Sequence, residues 1–380
     1  MRVSLDVTAV PASPAGAGRY TLELASALSR RDDLELVLVA RRQDALRWRH
    51  LVTTRGRVRA LAPSVRPLRL AWEQVALPGV LRRAGVRVHH GPHYTMPERS
   101  EVPAAVTVHD CTFFDHPEWH EPTKVLVFRR AIRVAARRAA VVICVSETTA
   151  RHLRSLCDVA GEVVVAPHGV DHARFCPQEP TTGADERRLR ALGLEPSRPY
   201  VLFVGTVEPR KDVASLVRAF DRLAEVDRDV TLVVAGRRGW GHGPVDVALA
   251  SATRYRDRIL FTGYVEDDAV PALLRRAAVA AYPSLAEGYG LPALEALACG
   301  APLVTTSGTA MAELAGDAAL LVAPDDPDAL AGALSDALSA SPDDPRVQER
   351  RSLGLEIAAA RTWEASASRH VEAYRLAATA

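Results

Sequence analysis

Lysine is nearly absent from this sequence. Only Lys124 and Lys211 occur among 48 basic residues, so arginine carries almost all of the positive charge. Because arginine has replaced lysine almost everywhere, a retained lysine indicates a position where a compact ammonium group is needed. The two lysines are therefore candidates for functional positions.

Cysteine and long apolar runs are also scarce. The five cysteines are scattered, odd in number and include no metal-ligand pair, which favours a cytosolic chain with reduced thiols. No apolar run approaches the ~18 residues that a membrane span needs. The first residues, Met1 to Val7, have the pattern of a strand and lack the layout of a signal peptide. We therefore expect a cytoplasmic protein, and its 380 residues favour two domains.

Charge is unevenly distributed along the chain. Residues 1–160 contain 25 Lys and Arg against 15 Asp and Glu, whereas residues 161–380 contain 23 against 31. The basic first half favours an anionic partner, such as a membrane surface or a phosphorylated acceptor, although uneven surface charge alone is the alternative. The segment Lys124–Arg138 has a helical pattern with five arginines, and it could lie on anionic lipid or simply present a basic outer face. We expect no nucleic-acid partner.

Short apolar runs rich in Val, Ile and Leu alternate with segments of helical period. Runs without polar alternation are typical of parallel strands buried on both faces. Their alternation with helices predicts two doubly wound α/β halves. The predicted strands are Val3–Val7, Leu34–Ala40, Val86–His90, Ala104–His109, Val141–Ser146 and Val163–Ala166 in the first half, and Tyr200–Gly205, Val230–Gly236, Arg258–Gly263, Ala278–Ser284, Pro302–Thr306 and Ala319–Val322 in the second.

The domain boundaries follow from composition. Residues 177–199 are rich in Pro, Thr, Asp, Glu and Arg and poor in large apolar residues, so we predict a linker there, within which Leu189–Leu194 could form a short helix. The first domain then covers residues 1–176 and the second covers residues 200–360. A final helical pattern within residues 361–380 has no strand after it, and we expect it to pack back on the first domain.

Unusual polar residues follow several predicted strands, where open parallel sheets bind ligands. His109 follows one strand, and the segment from Gly205 to Lys211 follows another. Glu287-Gly-Tyr-Gly-Leu-Pro follows a third and leads into a helix that ends at Gly300, with Glu295 in its first turn. The backbone N–H groups of that helix start suit an anion, and the two carboxylates could accept hydrogen bonds from hydroxyls of a sugar or ribose.

These motifs carry a family resemblance. The two glutamates, with seven residues between them in Glu287-Gly-Tyr-Gly-Leu-Pro-Ala-Leu-Glu295, resemble the E-x7-E signature of the retaining GT-B glycosyltransferases of family 4. Glu-Pro-Arg210-Lys211-Asp, Ala-Pro-His168-Gly-Val-Asp, Trp72-Glu-Gln and Val-His109-Asp also resemble segments of that family. The resemblance spans almost the whole chain and is densest in residues 200–325. His168 stands where asparagine is usual.

The resemblance implies a fold and a set of roles. The fold is GT-B, with two Rossmann-like domains facing across a cleft. Arg210 and Lys211 are expected to bind the diphosphate of a nucleotide sugar, Glu287 the hydroxyls of the transferred sugar, and Glu295 the ribose. His109 is expected to reach the sugar. The other implied donor-binding residues are Gly16, Gly18, Gly205, Thr206, Gly236, Arg237, Val265, Gly288, Tyr289, Gly290 and Leu291.

Each candidate has a structural alternative. His109 could be a satisfied histidine at a strand end, and Arg210 with Lys211 could begin a solvated helix. Gly16-Ala-Gly18 follows its strand too late for a dinucleotide fingerprint and lacks the third glycine. Asp227-Arg-Asp229 and Asp326-Pro-Asp328 spell a metal-binding pattern of the other major glycosyltransferase fold, but they lie away from the strand ends, so we expect neither a metal nor another cofactor.

The sequence therefore predicts a retaining glycosyltransferase. It would move a hexose-type sugar from a nucleotide diphosphate donor to a glycan, lipid-linked or small-molecule acceptor that the sequence does not name. A peripheral place on the inner face of the membrane is compatible with the basic first half. Two alternatives remain open: a sugar-nucleotide epimerase or hydrolase on the same fold, and a non-catalytic sugar-nucleotide-binding protein.

Overall fold

The computed structural model of the chain describes residues 1–52, 56–227, 229–252 and 255–380. It contains two compact units. The first unit comprises residues 1–169 together with 363–380, and the second comprises residues 170–362. Each unit is built around a parallel sheet with helices packed on it, as the alternating pattern predicts.

All strand pairs in the described part of the chain are parallel. The order in the first unit is β3-β2-β1-β4-β5-β6-β7, and the order in the second is β10-β9-β8-β11-β12-β13. The strands are β1 (Arg2–Asp6), β2 (Glu35–Arg41), β3 (Arg57–Ala62), β4 (Val88–Gly91), β5 (Ala104–Val108), β6 (Val141–Cys144), β7 (Glu162–Val165), β8 (Tyr200–Val204), β9 (Thr231–Ala235), β10 (Ile259–Gly263), β11 (Val279–Tyr282), β12 (Leu303–Thr306) and β13 (Ala319–Val322).

The helices connect successive strands and cover both sheets. They are α1 (Ala17–Ser29), α2 (Ala45–Leu51), α3 (Arg66–Val75), α4 (Leu77–Ala84), α5 (Thr112–Asp115), α6 (Pro122–Arg138), α7 (Glu147–Leu156), α8 (Ala184–Ala191), α9 (Val213–Val226), α10 (Gly243–Ser251), α11 (Val270–Arg276), α12 (Leu291–Ala298), α13 (Ala310–Ala315), α14 (Pro327–Ser339), α15 (Pro345–Ala359) and α16 (Trp363–Ala377).

The twelve predicted strands are confirmed apart from small differences at their ends, and one strand was missed. Strand β3 pairs with β2 at the edge of the first sheet. Its sequence, Arg-Val-Arg-Ala-Leu-Ala, alternates exposed and half-buried side chains. An edge strand has one open side, so it does not need the continuous apolar run by which the central strands were recognised.

The C-terminal helix α16 belongs to the first unit. Tyr20 of α1 donates its hydroxyl hydrogen to His370 Nε2 of α16 (2.8 Å), because His370 Nδ1 already donates to the Ser366 carbonyl (2.7 Å). On the other side, Tyr374 shares a 2.8 Å hydrogen bond with His90 Nδ1 of β4. All these rings are buried. A satisfied polar network of this kind fixes the position of the helix.

Residues 177–199, which we expected to form a linker, lie within the second unit. Asp185 of α8 forms a bidentate pair with Arg275 of α11, and both O···N distances are 2.7 Å. Both side chains are buried, and Leu189 of the same helix is completely buried. The polar composition of this segment therefore reflects a helix with one buried ion pair. The boundary between the units falls at residues 169–170.

Candidate active site

The second sheet changes direction between β8 and β11. From β8 the chain adds β9 and β10 on one side, and it then returns to place β11 on the other side of β8. Ligands of open α/β sheets bind beyond the carboxyl ends of the strands at such a point. The two loops that meet there are residues 205–212, after β8, and residues 283–290, after β11.

An ionic cluster joins these loops. Arg210 Nη1 lies 2.9 Å from Glu287 Oε2, and Arg210 Nε lies 2.7 Å from Glu208 Oε1. Lys211 Nζ also donates to Glu287 Oε1, and the Ser284 hydroxyl donates to the same oxygen at 3.3 Å. The side chains of Lys211, Glu208 and Glu287 are less than 10% exposed. The structure therefore brings three of the predicted catalytic residues into direct contact.

The electrostatics of the cluster keep Glu287 ionised. Burial alone would raise the pKa of this carboxyl, but the charges of Arg210 and Lys211 outweigh it and lower the pKa to about 2. Burial lowers the pKa of Lys211, and the guanidinium of Arg210 adds to this effect, while Glu287 opposes it. A carboxylate held by two cations is weakly basic and is a poor proton acceptor.

Glu208 is a member of the cluster to which the sequence analysis assigned no role. It precedes Arg210 by two residues and is buried. Its carboxylate holds one edge of the guanidinium while Glu287 holds another. The Ala286 carbonyl accepts a further hydrogen bond from Arg210 Nη1 at 3.3 Å. Its position two residues before an arginine at a strand end is the sequence signal that could have identified it.

Close backbone packing explains two of the predicted glycines. The amide of Gly205 donates to the Ala235 carbonyl at the end of β9, and the amide of Gly236 donates to the Gly263 carbonyl at the end of β10. A Cβ atom on Gly236, which has a φ of 152°, would lie 1.9 Å from the carbonyl oxygen of Gly205. Only glycine fits there, and the ends of β8, β9 and β10 are consequently held together.

Helix α12 begins beside Glu287. Gly290, at a φ of 100°, precedes its first residue, and a Cβ there would lie 2.5 Å from Met311 Cγ. Tyr289 is buried and hydrogen-bonds to Arg361 of the same unit. Because α12 begins at Leu291, Glu295 is its fifth residue and lies buried in the second turn; our placement of Glu295 in the first turn was wrong.

The remaining donor-binding candidates of the second unit lie on the same edge of the sheet. Gly288 is buried and Leu291 is half-buried at the start of α12, while Thr206 is exposed in the loop after β8. Arg237 is exposed after β9, with its guanidinium 4.6 Å from the ring centre of Tyr264. Val265 is buried and lies two residues beyond β10. These side chains could border a planar base, since a stacked guanidinium and ring present flat faces.

His109, Gly16 and Gly18 lie in the first unit. His109 follows β5, and its Nε2 donates to the Pro92 carbonyl at 2.8 Å, so its Nδ1 carries no proton in the neutral ring. Burial lowers the pKa of His109, which keeps the ring neutral. Gly16, at a φ of 50°, immediately precedes α1. A Cβ on Gly18 would lie 3.2 Å from Pro11 Cδ, so the loop packs tightly onto the helix start.

The two metal-like patterns serve as turns and caps. Asp227 Oδ1 accepts hydrogen bonds from the amides of Asp229 and Val230, and Arg228 between them lies outside the described residues. Asp326 caps α14 by accepting from the Ala329 amide, and Asp328 pairs with Arg222 on the surface. Among the described residues, no group of three or more His, Cys, Asp or Glu side chains could hold a metal ion.

Family models match both units. Residues 198–340 match glycosyl transferases group 1, and residues 14–174 match glycosyltransferase family 4. Related proteins also have glycosyltransferase names. The O-antigen chain mannosyltransferase B of Escherichia coli is 28% identical over 380 aligned residues, which cover 95% of this chain and 96% of that protein. The chain is a glycosyltransferase.

Two further relatives match shorter stretches of the chain. The D-inositol 3-phosphate glycosyltransferase of Salinispora tropica is 39% identical over 158 residues, which cover 38% of this chain and 32% of that protein. The lipopolysaccharide core biosynthesis mannosyltransferase LpsB of Rhizobium meliloti is 34% identical over 227 residues, covering 58% of this glycosyltransferase and 60% of LpsB.

Solved structures show that the fold is GT-B, as predicted. Sucrose-phosphate synthase from Thermosynechococcus elongatus superposes with a TM-score of 0.77 at 21% identity and covers 98% of both chains. Anabaena HepE in complex with UDP-glucose superposes with a TM-score of 0.72 at 17% identity, covering 98% of this chain and 99% of HepE.

Proposed function

We propose that this glycosyltransferase transfers a hexose from a nucleotide diphosphate sugar to a glycan-type acceptor, with retention of the anomeric configuration. The observation that carries the proposal is the ionic cluster of half-buried Arg210 with Lys211 and Glu287, at the point where the second sheet changes direction. Two cations fixed beside the start of α12 suit a diphosphate leaving group. Relatives of the fold bind such groups, since HepE has been crystallised with UDP and with UDP-glucose.

The chemical step follows from the charges. As the bond between the sugar and the diphosphate breaks, negative charge grows on the leaving oxygen. The guanidinium of Arg210 is held on two edges by Glu208 and Glu287, so it needs no reorganisation at that moment. Lys211 supplies a compact second charge. Both cations therefore stabilise the transition state more than the bound donor, which is the requirement for a faster reaction.

A retaining mechanism in which the diphosphate leaves and the acceptor attacks on the same face of the sugar fits the properties of Glu287. A covalent intermediate between the sugar and Glu287 fits them less well. The pKa of Glu287 is about 2, and Lys211 and Arg210 occupy its oxygens. Such a carboxylate is a weak nucleophile. We assign it instead to the sugar hydroxyls, which can donate to its remaining lone pairs. A donor phosphate oxygen would accept the acceptor's proton, and Glu295 would accept from the ribose hydroxyls.

The names of the relatives suggest the substrate to test first. The relative that aligns over 95% of the chain is named an O-antigen chain mannosyltransferase, so we take mannose as the first candidate hexose and a growing glycan as the first candidate acceptor. We also propose that no metal ion is required, because Arg210 and Lys211 can donate charge-assisted hydrogen bonds to the diphosphate oxygens.

We further propose that the protein works in the cytoplasm and rests on an anionic membrane surface through its first unit. Within the described residues, no helix has both the length and the apolar character needed to cross a bilayer. Helix α6 exposes Arg130, Arg133 and Arg137 with Leu126 on one face. A basic face of this kind is attracted to acidic headgroups.

One experiment tests the proposed reaction. GDP-mannose, UDP-glucose and other nucleotide sugars are first ranked by the thermal shift that they produce, since binding to the folded state raises the melting temperature. The best donor is then incubated with oligosaccharide acceptors, and NMR establishes the anomeric configuration of the product. Release of nucleotide without any acceptor, at the same rate as with one, would instead indicate a hydrolase. Inversion of configuration would refute the retaining mechanism.

A further inference from the structure

A cavity of about 530 Å³ opens in the second unit, at the edge of the sheet opposite to the ionic cluster. Pro302 and Leu303 at the start of β12 line it, together with Ala318 directly before β13. The described strand pairs of this sheet are all parallel, so the starts of the strands lie at the other edge from the loops that hold Arg210 and Glu287. The cavity is therefore separate from the candidate active site.

Much of the cavity lining is apolar. Leu297 near the end of α12, Leu303 and Ala318 are buried core residues that also border the cavity. Leu320 of β13 and Val347 of α15 are half-buried against the same space. These side chains carry no polar atoms, so the part of a ligand that lies against them has to be apolar as well.

Helix α15 forms one wall of the cavity and packs closely on α12. A Cβ atom on Gly354 would lie 2.9 Å from Leu297 Cδ2, so glycine permits the close approach of the two helices. Arg350 and Arg351 precede Gly354 by four and three residues, and both line the cavity. Because residues three and four apart share a helix face, the face that packs on α12 also presents two guanidinium groups to the cavity.

These two arginines differ from the third arginine of the cavity. Arg346 is bound by Asp344, with Nη2 at 3.1 Å from Oδ2 and Nε at 3.4 Å from Oδ1. Arg350 is half-buried, and no hydrogen bond or ion pair reaches it from the part of the chain that the structure describes. Arg351 lies across Gly300, where a Cβ atom would be 3.0 Å from its Nε. A half-buried cation without an anion is costly, so Arg350 is available to bind an anionic group of a ligand.

The charges around the cavity favour a single anionic group. Asp344 and Arg346 offset each other, and Asp336 of α14 is the other acidic residue of the lining. Arg350 and Arg351 against Asp336 leave one net positive charge. A sugar phosphate fits this lining poorly, because its hydroxyl groups would face apolar side chains without hydrogen-bond partners.

We propose that this cavity is a second ligand site and that it binds a single-chain anionic amphiphile. The anionic head lies at Arg350 and Arg351, and the apolar chain lies against Leu297 and Leu303. The site is independent of the proposed transfer reaction, since its residues belong to the opposite edge of the sheet. Its ligand contacts the C-terminal part of α12, the helix that begins beside Glu287.

The first test uses a series of chain lengths on the full chain. Butyl, hexyl and octyl phosphate are titrated calorimetrically, below the concentration at which octyl phosphate forms micelles, and octanoate is titrated in parallel to compare a carboxylate head with a phosphate head. Each methylene group that enters an apolar cavity should raise the affinity by up to about fourfold, which corresponds to ~0.8 kcal/mol. We expect an increase of at least ~10-fold from butyl to octyl phosphate. Octanol and inorganic phosphate, which each lack one half of the amphiphile, should bind at least ~10-fold more weakly than octyl phosphate.

The second test places the probe at the cavity. Arg350→Gln should weaken octyl phosphate binding at least ~10-fold, because a hydrogen bond between charged groups is lost. Arg187→Gln makes the same change on the surface of α8 in the same unit and should leave the affinity unchanged. Lys211→Ala should also leave it unchanged, because the ionic cluster lies at the other edge of the sheet. Thermal melting of each variant confirms that it is folded.

Several results would overturn the proposal. Binding of neither octyl phosphate nor octanoate by the wild type, or equal affinity for the three alkyl phosphates, would show that no chain enters the cavity. Octanol binding as tightly as octyl phosphate would show that the arginines hold no head group, and so would an unchanged affinity in Arg350→Gln. Loss of octyl phosphate binding in Lys211→Ala would place the probe at the ionic cluster instead. The chain-length series uses only the wild type, so it does not depend on the folding of any variant.

Discussion

Arg210 Nη1 lies 2.9 Å from Glu287 Oε2, and this contact joins the loop after β8 to the loop after β11. The two residues come from segments that the sequence separates widely, yet the parallel sheet brings both strand ends to one point. Because Glu287 also accepts from Lys211, removal of one cation leaves the carboxylate with a counterion. Lys211→Ala therefore leaves Glu287 paired with Arg210, whereas Arg210→Ala leaves Glu287 paired with Lys211 but removes the ion-pair partner of Glu208.

Lys211→Ala and Arg210→Ala should each slow transfer by at least ~100-fold while the fold stays intact. Loss of one preorganised charge beside a developing anion typically costs ~3–4 kcal/mol. The measurement is the rate of nucleotide release with saturating donor, alongside thermal melting. Arg222→Ala removes a surface cation that pairs with Asp328, so it should change the rate little. Near-normal turnover in either site variant would refute the diphosphate assignment.

Activity should survive an excess of EDTA. The aspartates that spell a metal-binding pattern are engaged in a turn and a helix cap, and the cluster at the sheet edge already supplies two cations. The assay compares initial rates before and after chelation. A loss of turnover that Mg²⁺ or Mn²⁺ restores would show that the proposed metal-independent mechanism is wrong.

Gly236→Ala should destabilise the second unit by at least ~3 kcal/mol. The new Cβ would lie 1.9 Å from the Gly205 carbonyl oxygen, and backbone must move to accommodate it. Gly332→Ala is the control, because a Cβ added to Gly332 in α14 would meet no other part of the fold within 4 Å. Alanine there should stabilise the protein by up to ~1 kcal/mol. Urea unfolding measures both. Equal stability of the two variants would contradict the close approach of these strand ends.

Much of this architecture could be predicted because central parallel strands are apolar on both faces. The same reasoning located Arg210, Lys211 and Glu287, since charged residues directly after such strands are conspicuous. It missed β3, because an edge strand tolerates arginine on its open side. It also took α8 for part of a linker, because Asp185 is polar and its buried partner Arg275 is distant in the sequence.

Glu73 shows a second kind of limit. Its sequence context is an amphipathic helix, and a glutamate on a helix is usually solvated. Only the fold shows that α3 turns this carboxyl inward, where the Thr95 hydroxyl donates to it. Contacts between a helix face and a distant strand end are set by tertiary packing, which periodicity in a single segment does not report. The buried position of Glu73 therefore could not be predicted from motifs.

Glu73→Gln should make the protein more stable at alkaline pH. The pKa of Glu73 is raised in the folded state to about 8 from an ordinary 4.5, so the folded chain holds a proton that the unfolded chain releases. Its contribution is thus most favourable below pH 4.5, and it declines as pH rises towards 8, by about 1.4 kcal/mol per pH unit. The difference in unfolding free energy between variant and wild type should grow over that range. A constant difference would contradict the raised pKa.

The membrane prediction can now be made at specific side chains. Arg129 is one of the five arginines of α6, but it donates to the carbonyls of Phe113 and Phe114 and is therefore a structural residue. Arg133 and Arg137 are exposed on the face that carries Leu126, which is 75% exposed. The appropriate variant is Arg133→Glu with Arg137→Glu.

That double variant should lose binding to vesicles that contain acidic lipid and should keep its affinity for the nucleotide sugar. Wild-type binding should weaken with salt, because the screening length falls from ~10 Å at 0.1 M to ~3 Å at 1 M. Cosedimentation at low and high salt measures both effects. Arg187→Glu with Arg190→Glu places the same charge change on α8 of the second unit and should leave vesicle binding intact. If the wild type sediments equally with neutral and acidic vesicles at low salt, the basic face of α6 has no role in membrane attachment, and its arginines are then available for contacts with an acceptor.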